Sequence, residues 1–168
     1  MIGIYDNFPV TIHNTEQYTS KVPIKQIQQK LIKILYELNQ CEFTFEQVSI
    51  PTIPQGRLFF EFGIAEATNF TFINEEVMRK TLKNLAKEPK ILDLFCAIRY
   101  YKMEGEKKRA LKFDYYIIRM IFDKSTFEVQ TFHERGPRYL LPQEVFTFVV
   151  TKINESIGKK ILIKQETD

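Results

Sequence analysis

Hydrophobic positions recur with helical spacing in three segments of the chain. The first follows Pro23 and continues to Asn39, and its apolar residues are Ile24, Ile27, Leu31, Ile34, Leu35 and Leu38. Proline suits the first turn of a helix, and this spacing places the apolar side chains on one face. Residues 74–89 predict a second helix, because an asparagine cap with two acids behind it precedes the apolar stripe and a proline stops it. Residues 142–154 predict a third, ended by Gly158.

Alternating or continuous apolar runs predict the strands. Alternation over 41–50, 57–65 and 126–132 is typical of half-buried strands, and 69–73 is a short extended segment. The runs 90–103 and 109–122 are apolar on each face and flank a loop with Gly105. They predict a hairpin of central strands that are covered on both sides over much of their length.

The two ends of the chain show weaker patterns. Residues 1–20 predict an irregular arm with one edge strand near Val10 and Ile12, and residues 159–168 predict a last edge strand or a helical tail. Neither a linker nor a long repeat divides the sequence. Helices and strands in this order predict a single α+β domain over residues 1–168 with an antiparallel sheet.

Composition supports a folded chain and permits an anionic partner. Of 168 residues, 44% are hydrophobic, with 15 Phe and 8 Tyr but no Trp, and the net charge is +3. Such a chain has enough apolar surface to offset the entropy of ordering. No apolar run reaches the roughly 18 residues of a membrane span. Without a signal-peptide pattern, a cytoplasmic location is expected. Abundant Ile, Lys and Phe with only 6 Gly suits a thermophile.

Few residues suit catalysis. His13, His133, Cys41 and Cys96 lack the close spacing of zinc ligands, and each cysteine falls in a hydrophobic strand pattern that predicts a buried, inert thiol. Glycine-rich phosphate loops are absent from the sequence, so no cofactor and no metal are expected. The strongest enzyme hypothesis is a magnesium nuclease, because Asp114 and Glu128-Val129-Gln130 resemble an Asp and Glu-x-Lys pattern. Gln130 replaces the lysine of that pattern.

Basic and aromatic residues concentrate near the predicted hairpin and after the last long strand. Rings can stack bases while guanidinium and ammonium groups neutralise phosphates. The candidate nucleic-acid-binding residues are Arg57, Phe59, Arg99, Tyr100, Tyr101, Lys102, Lys112, Tyr115, Tyr116, Arg119, Arg135 and Arg138. Alternate strand residues point to opposite faces, so the four tyrosines cannot all reach one surface. The competing interpretation is that these rings fill a core, which Phe113, Ile117, Ile118 and Ile121 are expected to join.

The segment His133-Glu134-Arg135-Gly136-Pro137-Arg138 predicts a tight turn just before a helix. Backbone N–H groups at a helix N-terminus favour an anion, and arginines flank the turn. The two arginines are therefore candidates for gripping a phosphate, or for pairing with Glu134 or Glu144.

The strands that end in HERGPRYL, followed by a closing helix, resemble the ThermoDBP-related proteins over residues 57–157. That family consists of archaeal single-stranded nucleic-acid-binding proteins, and the resemblance implies a small antiparallel sheet, packed helices and a cleft of aromatic and basic residues. This chain lacks Trp and a C-terminal leucine zipper, so no oligomeric state is carried over. We expect non-catalytic binding of single-stranded DNA or RNA. The alternative is a protein-interaction subunit, with another protein or a second copy as partner, and the nuclease ranks third.

Overall fold

A computed structural model describes residues 2–165, which form one antiparallel sheet and four helices. Of the predicted C-terminal segment 159–168, residues 166–168 lie outside the described residues, as does Met1. The strands are β1 (Asn14–Ser20), β2 (Glu42–Thr44), β3 (Gly56–Glu66), β4 (Asn69–Phe72), β5 (Ile91–Glu104), β6 (Lys107–Ala110), β7 (Asp114–Phe122), β8 (Thr126–Arg135) and β9 (Leu162–Lys164). The helices are α1 (Ile24–Leu38), α2 (Phe45–Val48), α3 (Glu75–Asn84) and α4 (Pro142–Ile157).

The strand order is β2-β3-β5-β7-β8-β1-β9, with β4 paired to β3 and β6 paired to β5. Every pairing between these strands is antiparallel. The predicted α+β class with an antiparallel sheet is therefore confirmed. Strands β5 and β7 occupy the middle of the sheet, as their continuous apolar sequences predict. No helix within residues 2–165 has the length and apolar character needed to cross a membrane.

One face of the sheet carries the core. Leu58, Phe60 and Phe62 alternate along β3 and are buried beneath the helices. The ring of Phe60 stacks on Phe148 of α4 with centroids 5.5 Å apart. Burial of each large apolar side chain contributes about 1.5–3 kcal/mol. The face beneath the helices is called the helix face below.

The strand predicted over 41–50 is wrong in its second half. Strand β2 ends at Thr44, and residues 45–48 form the short helix α2. The side chain of Gln47 accepts a hydrogen bond from the Thr44 backbone N–H at 2.8 Å, which begins a helix rather than extending a strand. Phe45 is buried in the helix, and the alternating pattern assigns it an inward position in a strand, so burial of this residue does not distinguish the two conformations. Cys41 is exposed, contrary to the predicted buried thiol, whereas Cys96 is buried.

The run 109–122 contains an irregularity that the sequence pattern did not reveal. Both β6 and β7 pair with β5, but Tyr101 lies opposite Ala110 whereas Ile98 lies opposite Asp114. The register therefore shifts by one residue between the two strands. An inserted residue turns the following side chains to the opposite face. This shift places Phe113 away from the helices, so its predicted position in the core is wrong.

The N-terminal prediction also needs correction. No strand forms near Val10 within the described arm, and β1 lies inside the sheet, between β8 and β9. Glu16 of β1 is buried on the helix face, where it accepts hydrogen bonds from Tyr18 Oη at 2.7 Å and Lys164 Nζ at 3.1 Å. Its polar sequence concealed an interior strand. At the other end, Gly158 ends α4 with φ at 78°, as predicted, and β9 confirms the strand alternative.

Candidate nucleic-acid interface

The sheet face opposite the helices carries a row of five aromatic rings. Neighbouring centroids are 4.5 Å apart for Tyr5 and Phe70, 5.3 Å for Phe70 and Phe95, 5.8 Å for Phe95 and Tyr115, and 6.1 Å for Tyr115 and Phe113. All five side chains are partly exposed. We call this set the aromatic row and the surface around it the open face. The row crosses from the N-terminal arm through β4 and β5 to β7.

A second group of rings lies where β3, β5 and β6 meet. Phe59 and Tyr101 contact edge to face with centroids 5.7 Å apart. The ammonium of Lys108 lies 5.4 Å from the ring centroid of Phe59 and 5.8 Å from that of Tyr101. Lys108 also pairs with Glu42 at 2.7 Å. These contacts hold two of the predicted stacking rings at the open face beside a cation.

Arginines flank the aromatic row. The guanidinium of Arg99 lies 5.3 Å from the centroid of Phe113, and that of Arg135 lies 5.1 Å from the centroid of Tyr115. Arg99 also forms an ion pair with Glu61 at 2.7 Å. Among the described residues, Arg135 has no carboxylate partner within 4.0 Å. Its charge is therefore better available to a phosphate than that of Arg99.

The other predicted cations are spread over different surfaces. Arg57 lies opposite Tyr101 in the sheet and points to the open face. Lys102 has the opposite parity to Tyr101 and therefore points to the other face of β5. Lys112 is exposed beside the register shift. Of the three, Arg57 is the one whose strand position places it with the rings.

Two of the four candidate tyrosines are fully buried and do not contribute to the open face. Tyr100 donates a hydrogen bond to Asp114 Oδ2 at 2.6 Å, and Tyr116 donates one to the backbone oxygen of Leu140. Burial is the main cause that raises the pKa of each phenol above its ordinary value. Tyr101 and Tyr115 occupy the open face instead, consistent with the opposite orientation of alternate strand residues. The structure thus leaves two of the four as stacking candidates.

Arg119 anchors the N-terminal arm. Its Nε and Nη2 atoms each lie 2.8 Å from an oxygen of the buried Asp93, and the hydrogen bond raises the pKa of the guanidinium. The ring of Phe8 lies 4.2 Å from the guanidinium carbon, and Tyr5 N–H donates to Asp93 Oδ2 at 2.7 Å. Gly3 hydrogen bonds to Ala65 and Asp93 through its backbone. Arg119 therefore fixes the arm and is a poor phosphate ligand in this arrangement.

The Asp93→Asn substitution is expected to loosen the arm. An amide replaces one carboxylate oxygen with a donor that faces Arg119, so the bidentate ion pair is lost. We expect about 1–3 kcal/mol of destabilisation and faster hydrogen exchange at the Tyr5 amide. Asp123→Asn, at an exposed turn, is the control for a change of charge alone. Unchanged exchange at Tyr5 in Asp93→Asn would contradict the proposed anchor.

Asp114 holds the turn between β8 and α4. Besides the bond from Tyr100, its carboxylate accepts hydrogen bonds from His133 Nε2 at 2.8 Å and from the backbone N–H groups of Arg138 and Tyr139 at 2.7 and 2.9 Å. Asp114 is fully buried, so these polar contacts offset its desolvation. A buried carboxylate therefore fixes the backbone at Arg138, one of the two predicted phosphate-binding arginines at this turn.

The helix N-terminus after this turn is not a free anion site. The amides of Arg138 and Tyr139 are directed to Asp114, and the Leu141 amide donates to Glu144 Oε2 at 3.0 Å. Acidic side chains of the protein thus occupy the backbone donors that the sequence pattern offered to a phosphate. The arginine side chains at the turn remain as candidates, because both are exposed.

The geometry does not assemble the two carboxylates of the nuclease hypothesis. Asp114 begins β7 and points to the helix face, whereas Glu128 lies opposite Ile121, near the far end of the strand, and points to the open face. Glu128 Oε2 accepts a hydrogen bond from Gln130 at 2.8 Å. Within residues 2–165, no group of three or more His, Cys, Asp or Glu is placed to hold a metal ion.

Sequence reasoning missed several residues of the open face. The sequence pattern assigns Phe70 and Phe95 only to strands and Phe113 to the core. His13 also lies at the surface, where its ring stacks on Phe132 with centroids 4.6 Å apart. Alternation in the sequence shows that Phe95 points to the face opposite Leu94 and Cys96. It does not show that helices leave this face of the sheet uncovered.

Comparisons with family models, curated proteins and solved structures gave no match.

Proposed function

We propose that the protein binds single-stranded DNA or RNA on the open face without catalysing a reaction. The observation that carries this proposal is the aromatic row, with arginines stacked on two of its rings. Aromatic rings can take bases from any sequence because every base has a π-face, and nearby cations hold the sugar-phosphate backbone. A duplex offers its bases stacked inward, so the same surface favours an unpaired strand.

The arrangement supports binding across the strands of the sheet. The rings come from the arm, β4, β5 and the start of β7, so a nucleic acid that follows the aromatic row runs across β5 and β7. Each base stacked on a ring contributes about 1–3 kcal/mol. Arg135 beside Tyr115 and Arg99 beside Phe113 then lie where phosphates of the same strand pass. Arg99 must give up its ion pair with Glu61 to bind a phosphate, so its net contribution to the binding free energy is smaller.

Fluorescence anisotropy tests the proposal with labelled oligo-dT, an RNA oligomer and a duplex at two salt concentrations. We expect binding to either single strand at low salt, weaker binding to the duplex, and a steep loss of affinity as salt rises. If neither single strand binds at low salt, the proposal is wrong. The exposed rings of the open face would then favour the alternative of a protein-interaction subunit.

Substitution of Tyr115 by leucine is expected to weaken single-strand binding about 5- to 150-fold, which corresponds to one stacked base. Leucine keeps apolar contact with Phe95 and Phe113 but removes the ring. Tyr36→Leu, on α1 at the opposite side of the sheet, is the matched control. Anisotropy titrations of both variants measure the effect. Equal affinities of Tyr115→Leu and the unsubstituted protein for single strands would show that the aromatic row is not part of the binding surface.

A further inference from the structure

The rim of the open face beside β8 carries cations without acidic partners. Arg138 and Arg135 are exposed, and neither has a carboxylate oxygen within 4.0 Å among residues 2–165. His13 is exposed at the same rim, where the arm rejoins the sheet through its backbone N–H bond to Thr131. Elsewhere on the open face the cations Arg99, Lys108 and Arg119 already have carboxylate partners, and of the cations placed there Arg57 alone has none among the described residues. Near β8, by contrast, both arginines lack a carboxylate partner.

The ring of His13 is held in one orientation. It stacks on Phe132 with an angle of 18° between the ring planes, and its Nδ1 accepts a hydrogen bond from the His133 backbone N–H at 2.9 Å. An imidazole that accepts at Nδ1 carries its proton at Nε2. His13 therefore has an N–H donor on the ring nitrogen that no described residue engages.

His133 and Asp114 connect His13 to Arg138. The His133 backbone N–H donates to His13 Nδ1, and the His133 ring lies 2.8 Å from the Asp114 carboxylate oxygen that accepts the Arg138 backbone N–H. Desolvation of the ring lowers the pKa of His13, and the neighbouring Arg138 and His133 lower it further. Neutral His13 is therefore favoured near neutral pH, and it remains a donor through Nε2 in that state. The backbone contacts through His133 and Asp114 thus bring the two donor-bearing residues to the same end of β8.

The conformation of the turn fixes the backbone of Arg138 before any ligand arrives. Arg138 has φ at 60°, a left-handed conformation that costs a non-glycine residue about 1 kcal/mol or more. The Asp114 carboxylate holds it there through the Arg138 N–H bond of 2.7 Å. A buried charge thus holds the strained backbone of this exposed arginine in place.

We propose that His13 and Arg138 form a phosphate subsite at the rim of the nucleic-acid surface. The subsite takes a phosphate oxyanion, with the Arg138 guanidinium donating two hydrogen bonds and His13 Nε2 a third. Arg135, over the ring of Tyr115, continues the positive surface toward the aromatic row. This inference rests on the proposed function, and the phosphate is either an internal diester or the terminal monoester of a single strand.

The salt dependence of oligo-dT binding tests the subsite. Loss of one phosphate contact on a single strand is expected to reduce the slope of log K against log salt by about 0.7. We expect that reduction in Arg138→Gln, which keeps a non-glycine residue at the left-handed position. Arg79→Gln on α3, an exposed arginine away from the open face, controls for net charge. A slope in Arg138→Gln equal to that of the control would overturn the subsite.

Two further arms separate the sources of the phosphate and the failure of each proposal. A 5′-phosphorylated oligo-dT that binds more tightly than the hydroxyl form, with the difference lost in Arg138→Gln, identifies a terminal phosphate. Equal binding of the two oligonucleotides, with the reduced salt slope, identifies an internal diester.

Nuclear magnetic resonance of the His13 ring protons during titration with inorganic phosphate tests the subsite in the absence of nucleic acid. A shift that disappears in Arg138→Gln, together with no oligonucleotide binding, keeps the subsite and rejects the proposed function. No shift and no change of slope rejects the subsite.

Discussion

Substitution of Gly136 by alanine is expected to destabilise the protein by about 2–4 kcal/mol. Gly136 has φ at 117°, a conformation that alanine rarely adopts. A Cβ atom at this position would overlap Phe113 O and Asp114 Oδ1, and would lie 2.7 Å from Asp114 Cα. These neighbours are backbone and a buried carboxylate, so they cannot move aside cheaply. The turn must open, and the bonds from Arg138 and Tyr139 to Asp114 open with it.

Gly105→Ala provides the matched control for Gly136→Ala. Gly105 also has a positive φ, at 65°, but a Cβ there would meet nothing within 4 Å. We expect a loss of about 1 kcal/mol from backbone strain alone. Urea denaturation of the two variants measures the difference in the free energy of unfolding. Equal losses would show that Gly136 is needed only for its φ and not for the close approach of Asp114.

The periodicity of the sequence predicts the elements better than it predicts their faces. Residues 23–39, 57–65 and 142–154 follow simple helical or alternating patterns, and α1, β3 and α4 form close to these predicted bounds. Such patterns succeed because one face of each element is buried. The pattern does not predict strand β1, because its buried position 16 is a glutamate rather than an apolar residue. Hydrogen bonds from Tyr18 and Lys164 stabilise this buried carboxylate, and hydrophobic periodicity does not report such contacts.

The candidate site depends on register, which the sequence does not specify. A shift of one residue between β6 and β7 decides that Phe113 and Tyr115 reach the open face while Tyr116 is buried. The aromatic row also joins rings from the arm, β4, β5 and β7, which are far apart in sequence. Alternation assigned Tyr100 and Tyr101 to opposite faces, but only the placement of the helices shows which face is open.

The role of Arg119 illustrates the same limit. The sequence predicts Arg119 as a nucleic-acid-binding residue. The partner Asp93 lies 26 residues away, and the bidentate geometry emerges only when β5 and β7 pair with Asp93 opposite Arg119. By contrast, Arg135 and Arg138 flank a turn signal of glycine and proline, and both are exposed in the structure. Local turn chemistry therefore predicted cations at the surface more reliably than strand position did.

Replacement of Asp114 by alanine is expected to cost about 3–5 kcal/mol, the larger of the two stability effects. The substitution leaves the Tyr100 hydroxyl, His133 Nε2 and two backbone N–H groups without their buried acceptor. Asp114→Asn should lose less, since one oxygen still accepts. The exposed Asp123→Ala controls for the loss of a carboxylate and should change the free energy of unfolding by about 1 kcal/mol or less.

Urea denaturation measures the stability of these Asp114 variants, and anisotropy at a temperature where each remains folded measures their binding. Because Asp114 fixes the backbone that presents Arg138, folded Asp114→Asn is expected to bind single strands more weakly and with a smaller salt slope than the unsubstituted protein. Its buried carboxylate does not itself reach the open face. Full stability in Asp114→Ala would contradict the role assigned to this carboxylate. Reduced stability with an unchanged salt slope in Asp114→Asn would instead show that Asp114 stabilises the fold but that the turn does not contribute to nucleic-acid binding.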